Sequence, residues 1–245
     1  MKGIILSGGT GTRLYPLTKV TSKQLLPVYN KPMIYYPLET LLKAGIKDIL
    51  IIVSPEHAGG YMELLGSGED FKARFTYEVQ AKPEGLAQAF IIGENFIGQD
   101  NVCMILGDNI FEDDFSETIK NFKKGCHIFL KKVQDPERFG VAEIDANMKV
   151  VRVLEKPQKR VSNYAITGLY IYDNRVIGAA KQAKPSARGE LEITELHNWY
   201  LQKGELDANV VKGDWVDAGT FESLFKASEL IRKHAYNPTR AKNNL

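Results

Sequence analysis

The stretch Ile4-Ile5-Leu6-Ser7-Gly8-Gly9-Thr10-Gly11-Thr12-Arg13-Leu14 couples an uninterrupted apolar run to a turn with three glycines in four positions. The run reads as a buried strand. The glycines strip the turn of side chains and reach backbone conformations closed to other residues, so successive N–H groups converge into a nest suited to phosphate oxygens. Arg13 adds a fixed cationic fork directly after it. Two common phosphate motifs do not fit. No Gly-Lys dipeptide occurs in the chain, which excludes a Walker loop. A dinucleotide fingerprint begun at Gly9 finds Gly11 but meets Leu14 where its third glycine belongs.

Working outward, Thr21 to Val28 reads as a loop with one cation, Lys23, and Asn30-Lys31-Pro32 as the opening of a helix that runs to Gly45, kinked or restarted at Pro37. Ile49–Val53, Arg74–Gln80 and Val102–Leu106 read as strands, with Ser54-Pro55 capping a helix and Leu86–Phe96 forming another. Strands that are almost wholly apolar and alternate with helices imply a parallel sheet covered on both faces. Ligands of such sheets lie beyond the carboxyl ends of the strands, which places Gly8–Arg13, Gln80 and Asp108 at one edge. From His127 to Tyr172 four strands with short connections (127–133, 140–144, 150–154, 165–172) extend the sheet in mixed or antiparallel fashion. Helices near 176–180 and 191–203, a strand at 207–211 and an amphipathic helix at 220–234 lead to a polar tail. The fold class is α/β, a Rossmann-like, mostly parallel mixed sheet flanked by helices with a smaller inserted lobe, in one domain over 1–245.

The 245 residues are enough to bury roughly 70–75 % of the unfolded surface without a metal or disulfide staple. A net charge of +2 gives no case for nucleic acid as a partner. Cys103 and Cys126 lie in apolar runs and read as reduced core residues. The four histidines show no ligand spacing. No signal-like or membrane-length apolar segment occurs, so a cytoplasmic protein is expected. There is no Gly-x-Ser-x-Gly elbow and no zinc-protease helix.

Asp108, after four apolar residues, reads either as a crevice carboxylate able to hold Mg²⁺ through one oxygen or as a simple strand-to-loop acid. Asp217, in Trp215-Val216-Asp217-Ala218-Gly219-Thr220, is a second metal ligand or an ordinary acid before a helix. Glu112, Asp113 and Asp114 read as structural, Asp114-Phe115-Ser116-Glu117 fitting a capping box. Glu155-Lys156-Pro157 suits sugar hydroxyls and a phosphate respectively, or is a solvated turn. Arg188 is equally a phosphate ligand or a partner of Glu190 or Glu192.

Leu6–Thr18, followed by Ser22-Lys23-Gln24-Leu25-Leu26-Pro27-Val28, closely resembles the signature of the sugar-1-phosphate nucleotidyltransferases, in the form of the bacterial glucose-1-phosphate thymidylyltransferases. Gln80 with Glu84–Ala89, Leu106–Asn109, Asp135–Val141, Glu155–Pro157, Asn163–Tyr170, Arg188–Thr194 and Trp215–Thr220 extend the likeness in order over almost the whole chain. The resemblance implies transfer of dTMP from dTTP to α-D-glucose 1-phosphate with release of pyrophosphate, the first step of dTDP-sugar synthesis, with Mg²⁺ as cofactor. It implies a nucleotide-binding core mainly over 1–125, a sugar-binding part mainly over 126–220, a closing helix at 220–234 and assembly as a homo-oligomer. Gly8, Gly11, Thr12, Arg13 and Lys23 would hold the triphosphate; Gln80 and Gly85 would meet the base. Asp108 and Asp217 would hold Mg²⁺. Asn109, Gly140, Glu155, Ile166 and Tyr170 would line the sugar site, and Lys156 and Arg188 would meet its phosphate. Arg13, Lys23, Lys156 and Asp108 would carry the catalysis. A UTP-dependent enzyme and a non-catalytic nucleotide-sugar-binding protein are the rival readings. Ser7 stands where members usually carry Ala, and many members have further helices that help form a regulatory nucleotide site, so a short form lacking that extension is expected.

Overall fold

The structure, a computed structural model, describes residues 1–235. Strand β1 (Lys2–Ser7) leads through the glycine turn and three short 3-10 turns to a hairpin, β2 (Pro27–Val28) and β3 (Lys31–Pro32), and then to α1 (Tyr35–Lys43). Next come β4 (Asp48–Val53), α2 (Ala58–Leu65), β5 (Arg74–Val79), α3 (Gln88–Ile92), α4 (Glu94–Ile97), β6 (Val102–Leu106), β7 (Asn109–Phe111) and α5 (Ser116–Asn121). Strands β8 (Cys126–Lys132), β9 (Val141–Ile144), β10 (Val150–Leu154) and β11 (Tyr164–Tyr172) follow. The chain continues through α6 (Val176–Gln182), α7 (Ile193–Leu201), β12 (Leu206–Val210), β13 (Trp215–Asp217) and α8 (Phe221–Ala235).

Nine strands form one sheet, in the order β10-β9-β11-β6-β1-β4-β5 with β8 and β12 branching at β11. β1 pairs in parallel with both β4 and β6, and β4 with β5. β11 runs antiparallel to β6, which starts the mixed extension expected from the sequence. Because β1 lies between β4 and β6, the chain reverses its direction of winding there, and the crevice above that point is where open α/β sheets bind ligands. The register puts Ser7 level with Val53, Leu6 with Leu106 and Val53 with Val79, so the four carboxyl ends open on one edge.

Alternate residues of β1 feed opposite faces: Ile4 and Leu6 pack with Phe90, Met104 and Tyr172, while Ile5 packs with Leu38, Leu41 and Tyr61. A third cluster fixes α8, through Ala227 and Leu230, against Val28, Met33 and Val216. The polar tail expected after that helix lies outside the described residues. Among those described, no helix is long and apolar enough to cross a membrane.

Four local expectations are corrected. Pro32 sits in β3, and α1 begins only at Tyr35, because the Met33 and Ile34 amides donate to Leu26 and Gln24 carbonyls (both 2.9 Å) instead of entering a helix. Pro37 is the third helical residue, where its missing N–H would have had no intrahelical partner, so it kinks nothing. The helix expected over 86–96 is divided at Gly93, which lies so close to β1 and β4 that a Cβ there would meet Leu50 Cδ2 at 3.0 Å and Ile4 Cδ1 at 3.2 Å. Asp114 caps α5 by accepting from the Ser116 amide (2.8 Å), with no return bond from Glu117 of the capping-box kind.

His197 of α7 is fully buried, its Nε2 2.7 Å from the Tyr172 hydroxyl. Burial depresses its imidazole to about 3. Below pH 6.5 the unfolded chain therefore binds a proton that the folded chain refuses, and stability falls with pH through that window. His197→Phe should gain on the native chain by up to about 3 kcal/mol between pH 6.5 and pH 4, read by denaturant titration at each pH.

Candidate active site

Gly107 ends β6 against β1 so tightly that a Cβ would lie 2.3 Å from Ser7 Oγ and 2.9 Å from Gln24 Cγ. The next residue, Asp108, is thereby delivered to the crevice floor. The carboxylate pairs with the Lys23 ammonium through Oδ2, and Oδ1 accepts from Asn109 Nδ2 at 3.0 Å. Burial pushes the Asp108 carboxyl up, but the Lys23 charge and these hydrogen bonds outweigh it and hold the group below the ordinary range.

Asp217 arrives from the far end of the sequence by a device not evident in the local pattern. β13 pairs antiparallel with β7, setting Asp217 opposite Asn109, and the Ala218 amide donates to the Asp108 carbonyl at 2.9 Å. The two aspartates are therefore neighbours facing one cavity. Its Oδ1 is buried without any hydrogen-bond partner. Burial, and then the charge of Asp108, raise its carboxyl to about 6. A buried carboxylate oxygen left unpaired beside a second carboxylate suits an octahedral cation that keeps several waters. No group of three or more metal-binding side chains exists among the described residues, so any cation held here relies on this pair with water and ligand oxygens.

Two contiguous cavities, of about 210 and 270 Å³, meet over these acids and share Arg13, Leu86, Leu106 and Asp217. Together they reach the size of ordinary small-molecule sites, roughly 300–1,000 Å³. The first is lined by Asn109, Gly140, Glu155, Lys156, Ile166 and Tyr170, every one of them expected from the sequence in a sugar site. The second is lined by Lys23, Gln80, Gly85 and Asp108, the residues expected around a nucleotide.

Close backbone packing builds the walls. Gly8 leaves room for Gln80, whose Oε1 would lie 2.1 Å from a Cβ there, while Gln80 Nε2 donates to Gln88 Oε1 at 2.6 Å. Asn109 Oδ1 accepts from the Gly168 amide (2.9 Å) and the Trp215 indole (2.6 Å), tying β7 to β11 and β13. Lys156 is held at φ 36, a strained conformation for a non-glycine residue, with its amide bonded to the Phe139 carbonyl at 3.1 Å. Glu155 accepts from Thr194 Oγ1 at 3.1 Å; burial and the nearby Glu192 raise its carboxyl. Burial likewise raises the Tyr170 hydroxyl, which stays neutral.

Some expected residues are placed elsewhere. Gly8 faces an adjoining cavity with Thr10, Ser54 and His57, and neither Gly11 nor Thr12 lines the two central ones; Gly11, at φ 65, serves as the turn into a 3-10 segment at Thr12–Leu14. Arg188 lies outside both cavities, bound to both oxygens of Glu192 (2.8 and 2.9 Å) and to Glu190 (3.1 Å), so the pairing alternative describes this structure. The Glu112–Asp114 cluster is structural as expected, Asp113 accepting from the Lys212 and Gly213 amides at 2.7 and 2.6 Å.

The family model for nucleotidyl transferases matches residues 2–234. The chain belongs to the nucleotidyl transferase family. It is 54 % identical over 238 residues to a glucose-1-phosphate thymidylyltransferase of Neisseria meningitidis, covering 95 % of this chain and 83 % of that one. Its identity to the Mycobacterium tuberculosis enzyme of the same name is 50 % over 237 residues, 95 % and 82 % of the two chains. Among solved structures, a Bacillus anthracis protein in complex with sucrose, assigned provisionally to glucose-1-phosphate thymidylyltransferase, superposes with a TM-score of 0.90 at 52 % identity over 95 % of both chains. A UDP-glucose pyrophosphorylase shares the fold at a TM-score of 0.84 and 24 % identity, over 95 % of this chain and 98 % of that one.

Among the residues of this nucleotidyl transferase that reach the cleft without a separate signal in the sequence are Gln24, Arg138, Thr194 and Trp215. All four lie inside stretches that carry the family likeness. Their side chains gave no separate signal, because a single glutamine, arginine, threonine or tryptophan has no spaced partner to mark its chemistry.

Proposed function

We propose that this nucleotidyl transferase joins dTTP and α-D-glucose 1-phosphate to give dTDP-glucose and pyrophosphate. The observation that carries the reading is the meeting of two cavities, one ringed by sugar-compatible groups and one by a glutamine and a glycine wall, over Arg13, Lys23, Lys156 and two adjoining aspartates. The named relatives at 50 % identity and above support the choice of substrates.

The nucleophile is a sugar-phosphate oxygen attacking the α-phosphorus as pyrophosphate leaves. Phosphate monoesters have a second pKa near 6, so no general base is needed, in keeping with a cleft whose two central cavities contain no histidine. The obstacle is charge: a single pair of like unit charges at 4 Å costs about 4 kcal/mol at an effective dielectric near 20, and several pairs are brought together. Arg13, shared by both cavities, and Lys156, in the sugar cavity, set cations on either side of the reacting phosphates. Lys23 is partly neutralised by Asp108 and supplies its charge to the triphosphate side as that pairing loosens. Asp108 and Asp217 are the residues that would hold Mg²⁺, which when bound neutralises phosphate oxygens and screens the pair of acids from each other. Gln80 and Gly85 fix the base, and Asn109, Glu155 and Tyr170 orient the sugar. The chain works as one domain in the cytoplasm, its nucleotide half mainly 1–125 and its sugar half mainly 126–220.

Pyrophosphate release measured for each nucleoside triphosphate with glucose 1-phosphate and its epimers, with and without Mg²⁺, tests the proposal. dTTP with glucose 1-phosphate should give the highest kcat/KM and require the metal. A clear preference for UTP would reassign the nucleotide, and absence of release from every pair would leave only a binding protein.

Proton competition at the metal ligands gives a second test. Asp217 titrates near 6 in the metal-free chain while Asp108 stays ionised, so a cation must displace one proton below that pH. Affinity for Mn²⁺, followed by electron paramagnetic resonance, should fall about tenfold per pH unit below 6 and level off above 7. A flat profile from pH 5 to 8 would remove Asp217 from the metal site.

A further inference from the structure

Beneath the nucleotide cavity lies a buried polar cluster that the mechanism does not use. Tyr61 of α2 is completely buried in the apolar layer under the sheet, where a phenylalanine would serve packing as well. Its hydroxyl sits 2.7 Å from Ser22 Oγ and 3.1 Å from Gln24 Oε1, and Ser22 Oγ is itself 2.7 Å from Gln24 Oε1. Ser22 and Gln24 are each only 3 % exposed. The triangle joins residues 37 and 39 positions apart, from a helix on one side of β1 and from the loop that follows the glycine turn.

We propose that Ser22 and Tyr61 are positioning residues that fix the Gln24 carboxamide with its oxygen inward and its nitrogen toward the nucleotide. The two hydroxyls carry two protons among three contacts. Shared within the triangle, at least one of them goes to Gln24 Oε1, which the Ser22 Oγ and Tyr61 hydroxyl donors meet at 2.7 and 3.1 Å. The carboxamide nitrogen is then directed away from the triangle, toward the cavity that Gln24 lines together with Lys23 and Asp108. There it presents two N–H donors to a ligand rich in acceptor oxygens. The reverse orientation would turn the carboxamide oxygen toward a cavity that already holds the Asp108 carboxylate and receives phosphates, an electrostatic arrangement the hydroxyl pair disfavours.

Packing on the other side leaves Gln24 no alternative. Its Cγ lies within 2.9 Å of where a Cβ on Gly107 would stand, so the turn that delivers Asp108 also confines this side chain. Its backbone carbonyl is engaged by the Ile34 amide at 2.9 Å. Burial raises the Tyr61 hydroxyl to about 12, so it remains a neutral donor over the whole working range. The cluster thus selects donor polarity at one point of the nucleotide site without touching the nucleotide.

The inference rests on the nucleotide reading above, and its test separates the two. Binding of Mg·dTTP to the full chain is measured by isothermal titration for the native protein, Tyr61→Phe, Ser22→Ala, Gln24→Ala and the pairs Tyr61→Phe/Gln24→Ala and Ser22→Ala/Gln24→Ala, alongside steady-state KM for glucose 1-phosphate. Tyr61→Phe and Ser22→Ala should each weaken Mg·dTTP binding about three- to tenfold, the net worth of one neutral hydrogen bond. Both should leave the KM for glucose 1-phosphate unchanged, and neither should weaken binding further once Gln24 is Ala. Additive losses in the Gln24→Ala background would overturn the proposal, as would equal losses for both substrates, which a general loosening of the fold would produce. Should Ser22→Ala fail to fold, the Tyr61→Phe cycle decides alone. Native protein that binds Mg·dTTP but releases no pyrophosphate would refute the enzymatic reading and leave this one standing. Native protein that binds no nucleotide would refute both.

Discussion

Asp217→Asn should make the metal-free chain more stable while lowering turnover by a factor on the order of 10² or more at saturating Mg²⁺. The two effects share one cause. Burial and the charge of Asp108 raise the Asp217 carboxyl to about 6 in the folded chain, above its unfolded value of 3.8. A raised carboxyl favours folding only while protonated; as pH climbs through 6 that contribution is lost, and at neutral pH the ionised acid works against folding. The shift corresponds to about 3 kcal/mol, reduced to about 2 by the group's partial contact with solvent.

Asp108→Asn should be equally inactive with the opposite effect on stability. Its carboxylate is the buried partner of Lys23, whose side chain is 11 % exposed, and removing it strands an ammonium at a cost of about 3 kcal/mol. Denaturant titrations at pH 7.5 without divalent ions, paired with rates, separate the two variants. Stabilisation by both substitutions, or by neither, would contradict the electrostatic asymmetry of the pair, and a near-native rate for Asp217→Asn would remove it from the metal site.

Gly85→Ala should cost about 3 kcal/mol or more and lower Tm by about 6–12 °C, with kcat/KM falling for both substrates. Gly85 adopts φ +113, and a Cβ there would stand 2.4 Å from the Leu191 carbonyl oxygen and 2.5 Å from its nitrogen. The obstruction is backbone, which no rotamer change relieves. On either side of it the Leu191 amide donates to Glu84 O at 2.7 Å and the Ala87 amide to Leu191 O at 3.1 Å. This joint seats the glutamine-and-glycine wall of one cavity against α7, whose Ile193 and Thr194 line the other, so both substrates should feel its loss. Gly9→Ala offers the contrast: nothing lies within 4 Å of its Cβ position, and stability should change by less than about 0.5 kcal/mol. Equal stability losses for the two alanines would show that the φ and the backbone contact at Gly85 do not govern it.

The parts of the site carried by parallel strands were legible in the sequence because β1, β4 and β6 announced themselves by apolar runs and β5 follows in the same strand–helix alternation, and a parallel sheet sends all such strands out at one edge. Asp108 and Gln80 follow directly from that. Asp217 was named, but its local setting favoured a plain acid before a helix; only the three-residue ladder between β7 and β13 sets it opposite Asn109, and strands that short leave no periodicity. The helix opening that the sequence suggests at Asn30–Pro32 is a hairpin strand for the same reason: two-residue strands are decided by the Met33 and Ile34 amides finding carbonyls across the turn.

Arg188 marks the limit most plainly. A cation two residues before Glu190 and four before Glu192 is compatible with either phosphate or carboxylate, and the choice made here depends on how α7 presents a 6 % exposed Glu192 to it. The amino-acid order by itself determined the α/β class, the phosphate-suited turn, the crevice edge and the identity of its charged groups, since these follow from apolar periodicity and the chemistry of single residues. Tertiary structure alone decided which of those charges neighbour one another: the raised Asp217, the paired Lys23 and Asp108, and the hydroxyl triangle at Gln24. Coulomb energy and hydrogen bonding act over a few ångströms, and residues tens of positions or more apart reach that distance only when the sheet has closed around them.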